Sequence, residues 1–229
     1  ILGSRERMNE VLSEDLMVIK AAYAVPRRTV LEDGKEAVFN ENEVQEISCY
    51  YIQDKFGYCK LMDEATYQRN QEAVESDNRF VLKCKNTDRV LLFTDKGNMH
   101  QIKCQDVPLG KFKDKGVPID NISKYNANQE EIIYANVKSA LAGKTLIFAT
   151  RDAMVKLVET SEFETANKLV AATKLGEGDR LIEIREMAYE TDIVFETHDG
   201  YFLRCSLSDI PLQKKNSKGV IGIRLGKCD

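Results

Sequence analysis

The chain has 229 residues, 31% of them charged and 43% hydrophobic, with a net charge of −4. That balance reads as a folded globular protein rather than a disordered tail. No apolar run approaches the roughly 20 residues that cross a bilayer, and no signal peptide opens the sequence, so no membrane association is expected. Six cysteines lie far apart without a CxxC pair, and only His100 and His198 are available to help them. Zinc ligands come in close pairs, so no metal site is expected, and the cysteines read as small apolar residues of a reducing cytoplasm.

The opening, "ILGSRERMNEVLSEDL", lacks an initiator Met and reads as cut from a longer helix, so a fragment is expected. Met8, Leu12, Leu16, Ile19 and Tyr23 fall at steps of four, four, three and four, the apolar stripe of an amphipathic helix over 4–24. Val25-Pro26 stops it, because the residue before proline is pushed out of helical conformation. "RRTVLED" then predicts a short strand and "DGKEAVFNENE" a turn and connector, closing a first region of residues 1–43.

From residue 44 the texture becomes short strands broken by turns. Four windows align on a turn residue: "YYIQDKFGYCKLMD", "VLLFTDKGNMHQIKCQDVP", "TLIFATRDAMVKLVETSEF" and "DIVFETHDGYFLRCSLSDIP". Their turn positions are Gly57, Gly97, Ala153 and Gly200, with Thr94, Thr150 and Thr197 three residues ahead of the last three. Glycine at such a turn supplies a positive φ without steric cost, so Ala153 predicts a different third turn. Further strands are predicted in "NRFVLKC", "EEIIYANVK" and "DRLIEIREM". Each repeat then holds about four strands, the content of one propeller blade, and blades must stack because one sheet cannot bury both faces. The expected fold is mainly β, an array of four-stranded blades over 44–229 behind one N-terminal amphipathic helix.

Charge is unevenly spread. Six lysines face four acids between Asp95 and Tyr125, five basic residues face two acids from Cys205 to Asp229, and 159–200 is acidic. Basic segments in an acidic chain fit a charged track as well as a solvated surface. No Walker-type glycine loop is present, and neither histidine has a partner near it in sequence from which a catalytic triad could be inferred.

The connectors are more specific than the hairpins. "DVPLGKFKDKGVPIDNI", "KLGEGDRLIEI" and "QKKNSKGVIGIRLGKCD", together with "AYAVPRRTVLED", resemble the C-terminal part of the A subunit of bacterial type IIA topoisomerases, DNA gyrase or topoisomerase IV. The resemblance covers essentially the whole chain. It implies that the helix ends the coiled-coil arm of that larger protein and that residues 44–229 form a β-pinwheel whose rim binds and bends double-stranded DNA. Its protein partners would be the ATPase B subunit, together with the rest of the A subunit, in the bacterial cytoplasm at the nucleoid. No catalytic residue and no cofactor belong to this fragment: the cleaving tyrosine lies upstream, and ATP and Mg serve the whole enzyme. Under this resemblance the DNA contacts are expected at Lys111, Lys113 and Lys115, at Lys214, Lys215 and Lys218, at Lys60, Lys156 and Arg204 after the hairpin turns, and at Arg69. Each has a plain alternative as a solvated charge, and Arg69 has Glu72 three residues away. Arg27 and Arg28 read as structural, between arm and first blade.

One departure matters. Gyrase carries a first-blade box of the form Gln-Arg-Arg-Gly-Gly-Lys-Gly that serves DNA wrapping. The corresponding stretch here, "TYQRNQEAVESDN", keeps only Tyr67, Gln68, Arg69 and Gln71 as remnants, with Glu72 and Glu75 in place of glycine and basic residues. "QKKNSKG" near the end is similar to the box, yet "GVIGIRL" after it fits a later connector between blades. Close approach of backbone to phosphate wants glycine, and added carboxylates repel a duplex, so the resemblance leans toward topoisomerase IV. A protein-interaction propeller that binds no DNA is the rival reading, and an enzyme with a central propeller site is a third that finds no supporting constellation.

Overall fold

Strand formers flank a turn four times, and each window folds as an antiparallel hairpin in a computed structural model of the chain, which describes residues 3–25, 29, 45–187 and 192–226. The hairpins are β1 (Ser48–Asp54) with β2 (Tyr58–Asp63), β4 (Arg89–Thr94) with β5 (Asn98–Lys103), β8 (Thr145–Thr150) with β9 (Met154–Glu159), and β12 (Asp192–Glu196) with β13 (Phe202–Ser206). One backbone bond closes every turn, from the turn residue's N–H to the carbonyl three residues back: Gly57 to Asp54, Gly97 to Thr94, Ala153 to Thr150, Gly200 to Thr197. The glycines take φ of +85°, +72° and +80°, and Ala153 takes +56°. The third turn therefore has the same geometry as the others, against the sequence expectation. The alanine accepts a left-handed backbone that its Cβ disfavours.

The remaining strands show how repeats are joined. The three predicted strands are β3 (Asn78–Lys85), β7 (Ile132–Val137) and β11 (Leu181–Met187), and each pairs with the first strand of its own hairpin: β3 with β1, β7 with β4, β11 with β8. The fourth strand of a blade comes from the following repeat. Short strands β6 (Val117–Pro118), β10 (Leu169–Ala171) and β14 (Val220–Ile221) lie in the connectors after hairpins two, three and four. They return to pair with β2, β5 and β9 of the preceding blade. The result is three four-stranded sheets, β3-β1-β2-β6, β10-β5-β4-β7 and β11-β8-β9-β14, and the two-stranded sheet β12-β13.

The hydrophobic core lies between sheets. Tyr51, Cys59, Leu61 and Cys84 of blade one pack against Val90, Leu92, Ile102 and Ile132 of blade two. Leu91, Phe93 and Met99 of blade two meet Leu146, Phe148, Val158 and Ile184 of blade three. Phe93 stands edge-on to Phe148 and Phe163, with ring centroids 6.0 and 5.1 Å apart. Because both faces of a stacked sheet are covered, the central strands are buried at nearly every position: Cys59, Lys60, Leu61 and Met62 run consecutively through the interior.

The chain divides into units of residues 1–43 and 44–229. In the first, α1 (Arg5–Tyr23) is N-capped by Ser4 and ends at Ala24, ahead of Pro26. It buries no residue, and its predicted stripe of Met8, Leu12, Leu16, Ile19 and Tyr23 is exposed. Of the predicted strand "RRTVLED" only Thr29 is described; Arg27, Arg28, the rest of that strand and the connector after it lie outside the described residues. Among the described residues no helix is long and apolar enough to cross a membrane.

Candidate nucleic-acid interface

Two connectors that return to a preceding blade are lysine-rich, and they fold alike. One runs from Val107 to Val117 and lies on blade one; the other runs from Ile210 to Val220 and lies on blade three. Each enters through a proline whose carbonyl accepts from the sheet, Pro108 from Leu61 N–H at 2.9 Å and Pro211 from Leu157 N–H at 3.1 Å. Two residues on, Gly110 and Gln213 donate back to the carbonyls of Leu61 and Leu157, each at 2.8 Å. Each connector leaves through a glycine with positive φ, Gly116 at +83° and Gly219 at +95°. A Cβ on Gly116 would collide with the Cys59 carbonyl, and one on Gly219 would sit 2.7 Å from the Val155 oxygen, so only glycine fits either exit.

Within each loop, the second position turns inward and the positions around it face out. Lys111, Lys113 and Lys115 are exposed while Phe112 turns inward beside Ile52, Met62, Tyr67 and Val74. Lys214, Asn216 and Lys218 are exposed at the matching places, and Lys215 takes the place of Phe112, half-buried with its ammonium donating to the Glu162 carbonyl at 2.5 Å. Asp114 Oδ2 accepts from Lys111 N–H at 2.7 Å, and Ser217 Oγ donates to the Lys214 carbonyl at 2.8 Å, so a short polar side chain knots each turn. Among the described residues no carboxylate lies within ion-pair distance of Lys111, Lys113, Lys115, Lys214 or Lys218. These five are charges presented to solvent on two equivalent rims.

Other expected contacts are not on that surface. Lys60 and Lys156, expected on the rim, are 7% and 1% exposed. The Lys60 ammonium donates to the carbonyls of Lys111, Phe112 and Asp114 at 2.9, 2.8 and 2.6 Å. That of Lys156 donates to Lys214, Lys215 and Ser217 at 3.3, 2.7 and 2.9 Å, the same three places in its loop. Burial pushes both ammoniums below the usual lysine range, Lys156 to about 8, with Asp114 opposing the shift at Lys60 and Glu162 at Lys156. Lys215 is likewise turned inward. Arg204 lies one position further along its hairpin than the two lysines, and it is bound across the strands to Asp192, with Nε 2.7 Å from Oδ2. Arg69 is exposed, and its Nε donates to the Ala65 carbonyl at 3.1 Å.

Blade two differs. Its returning connector, from Phe163 to Val170, is three residues shorter and contains Lys168 alone among basic residues. The position matching Lys60 and Lys156 is His100, fully buried, with Nε2 2.8 Å from Glu130 Oε1. Thr94 Oγ1 and Asn98 Nδ2 donate to the other oxygen of Glu130 at 2.8 and 3.1 Å. Burial lowers the His100 pKa and the Glu130 carboxylate opposes the shift. The lysine and the long basic connector thus occur together on blades one and three and are absent together on blade two.

A family model for the DNA gyrase C-terminal domain, described as a beta-propeller, matches residues 88–137, 144–185 and 191–229, more than half of the chain. The chain belongs to the DNA gyrase C-terminal domain family. The DNA gyrase A subunit of Lawsonia intracellularis is 30% identical over 241 residues, which takes in all of this chain and 29% of that protein. The corresponding gyrase protein of Streptococcus pyogenes serotype M1 is 30% identical over 224 residues, 92% of this chain and 27% of that protein. The chain therefore spans less than a third of the gyrase proteins it matches. Among solved structures, the C-terminal domain of DNA topoisomerase IV superposes with a TM-score of 0.72 at 24% identity, covering 80% of this chain and 59% of that one. The E. coli ParC C-terminal domain gives 0.64 at 15% identity, covering 80% and 74%. The strand-exchanged blade array is the family's β-pinwheel, and the chain is the C-terminal region of a type IIA topoisomerase A subunit.

Within this gyrase-family domain the stretch read as the box remnant is helical. It falls in α2 (Glu64–Arg69) and α3 (Gln71–Asp77), capped by Asp63 and packed by Tyr67, whose ring stacks on Tyr50 at 3.7 Å and whose hydroxyl donates to Glu75 at 2.5 Å. The first blade's own connector is thus a pair of short helices rich in carboxylates, not an extended loop. "QKKNSKG", residues 213–219, is the connector from hairpin four to blade three, the same place on its blade as 110–116 on blade one.

Proposed function

We propose that this domain binds double-stranded DNA without reading its sequence, laying phosphates against the exposed lysines of the two returning connectors, and bends it modestly to direct strand passage. The single observation that carries this reading is the repetition of one loop on blades one and three: same length, same anchors, and outward lysines at matching places, three on the first and two on the second. Two such loops make a track with a gap at blade two. In this proposal α1 ends the coiled-coil arm, and the whole enzyme is an ATP-dependent type II topoisomerase working in the bacterial cytoplasm with a separate ATPase chain. The fragment itself carries no chemistry and binds no cofactor.

A topoisomerase IV-like role is favoured by the helical, acidic α2–α3 segment. Bending a 20–30 bp site costs of order 1–6 kcal/mol, and a wrap must be held on both flanks of each bend. Two basic loops separated by a blade with none hold a crossing better than they close a wrap.

The test is binding of the 229-residue chain to an end-labelled duplex of about 40 bp across a salt series. Affinity that falls steeply with salt, with little approach of the duplex ends, is the expected result. Replacing Lys111, Lys113, Lys115, Lys214 and Lys218 by alanine should lower the slope of log K against log salt by about 4 to 5. Strong end-to-end approach would return a gyrase-like wrap, and no binding at low salt would make the domain a protein-interaction scaffold.

A further inference from the structure

A buried ammonium that spends all three of its protons on loop carbonyls is an unusual way to fill a sheet interior, and this chain does it twice. Lysine is a residue that burial penalises, and an apolar residue at the same place would carry no desolvation cost. Its neighbours show what the cost is set against. The loop carbonyls of Lys111, Phe112 and Asp114, and those of Lys214, Lys215 and Ser217, are drawn inward onto one ammonium. With those carbonyls fixed, the side chains of residues 111, 113 and 115, and of 214, 216 and 218, are left pointing out. Blade two is the internal comparison: where His100 replaces the lysine and sits 2.8 Å from Glu130 instead, the connector is short and presents no row of lysines. The carbonyl-gathering lysine and the presenting loop come as a pair.

We infer that Lys60 and Lys156 are positioning residues for nucleic-acid binding: they touch no phosphate, and they set the loop backbone so that the five outward lysines reach the duplex together. The inference rests on the DNA-binding reading for its consequence, but the loop ordering itself does not. A pre-shaped loop loses less freedom when it binds than a mobile one, so gathering its carbonyls in advance raises affinity without adding a contact.

Three chains separate the possibilities: wild type, Lys156→Met and Lys60→Met, each followed by amide hydrogen exchange and by the salt-dependent duplex titration. Lys156→Met should speed exchange in 213–219 and leave 110–116 unchanged, and Lys60→Met should do the reverse. A general loss of stability would speed both loops in both variants and would overturn the inference. In the titration each variant should bind more weakly, with the salt slope lowered by about 2 in Lys156→Met, whose loop carries two outward lysines, and by about 3 in Lys60→Met, whose loop carries three. Adding Lys156→Met to a chain that already carries Lys214→Ala and Lys218→Ala should produce no further loss, because the buried lysine acts only through that loop. An additive further loss, or wild-type affinity in a folded Lys156→Met chain, would overturn it. If methionine prevents folding, Lys156→Gln, which keeps two donors and no charge, carries the same comparison. Wild type that fails to bind at low salt would defeat the DNA reading alone, and the loop-specific exchange pattern would still decide whether these lysines order the loops.

Discussion

Ala153 sits at φ +56° in a turn whose three counterparts are glycine, and it shows how tightly the repeat dictates a single backbone angle. A non-glycine residue in that region costs about 1–2 kcal/mol, while glycine loosens the unfolded chain by about 0.4–1 kcal/mol. Ala153→Gly should therefore stabilise the domain by about 0.5–1 kcal/mol, read as a raised urea midpoint with unchanged m-value. The opposite change at a connector exit is severe. Gly219→Ala places a methyl 2.7 Å from the Val155 oxygen at φ +95°, and more than about 2 kcal/mol of destabilisation is expected. These positions are half legible: glycine at the hairpin turns announces positive φ, but nothing in the sequence says that alanine is forced into the same angle rather than changing the turn.

At the scale of elements, the buried lysine in a central strand gives folding a signed dependence on pH. Folded Lys156 releases its proton near 8, held low by burial, whereas the unfolded lysine keeps its proton to about 10.4. Between those values the unfolded chain binds more protons, so stability rises with pH there. Wild type compared with Lys156→Met should gain of order 1 kcal/mol from about pH 7.5 to about 9.5 in urea unfolding. The strand that carries this residue is where sequence and structure part. The hairpins, the three intervening strands and the lysine-rich connectors can be read from turn residues and apolar runs. The inward direction of Lys60 and Lys156 cannot, because stacking buries both faces of a central strand and alternation no longer sorts surface from core. The signal that is present is a spacing: a lysine three residues after the turn, paired with a Pro-to-Gly-Val connector in the following repeat. Likewise "TYQRNQEAVESDN" reads as an eroded loop, although Asp63 ahead of Thr66 is a good helix start and Tyr67 fits a helix that must bury one face.

For the whole molecule, cohesion comes from cores shared between blades. Phe93 belongs to blade two and is fully buried against Phe148 of blade three and Phe163 of the connector that returns from it. Phe93→Ala should cost about 3–5 kcal/mol, and because both blades lose the contact, fluorescence and circular dichroism should report a single shifted transition rather than the melting of one blade.

The exchange of strands also puts the genetic repeat and the physical blade out of phase. A duplication or loss of one hairpin-plus-connector unit moves a complete latch with it, since every returning strand seeks the same place on its neighbour: Val117 beside Cys59, Val170 beside Met99, Val220 beside Val155. The array can thus change its number of blades without inventing a new joint. It can also change where along its rim the basic loops fall, since a loop and the lysine that shapes it arrive on consecutive units. A basic loop keeps the lysine beneath it only when those two units move together; one unit moved alone would set its loop over another residue, as His100 stands beneath the short connector of blade two.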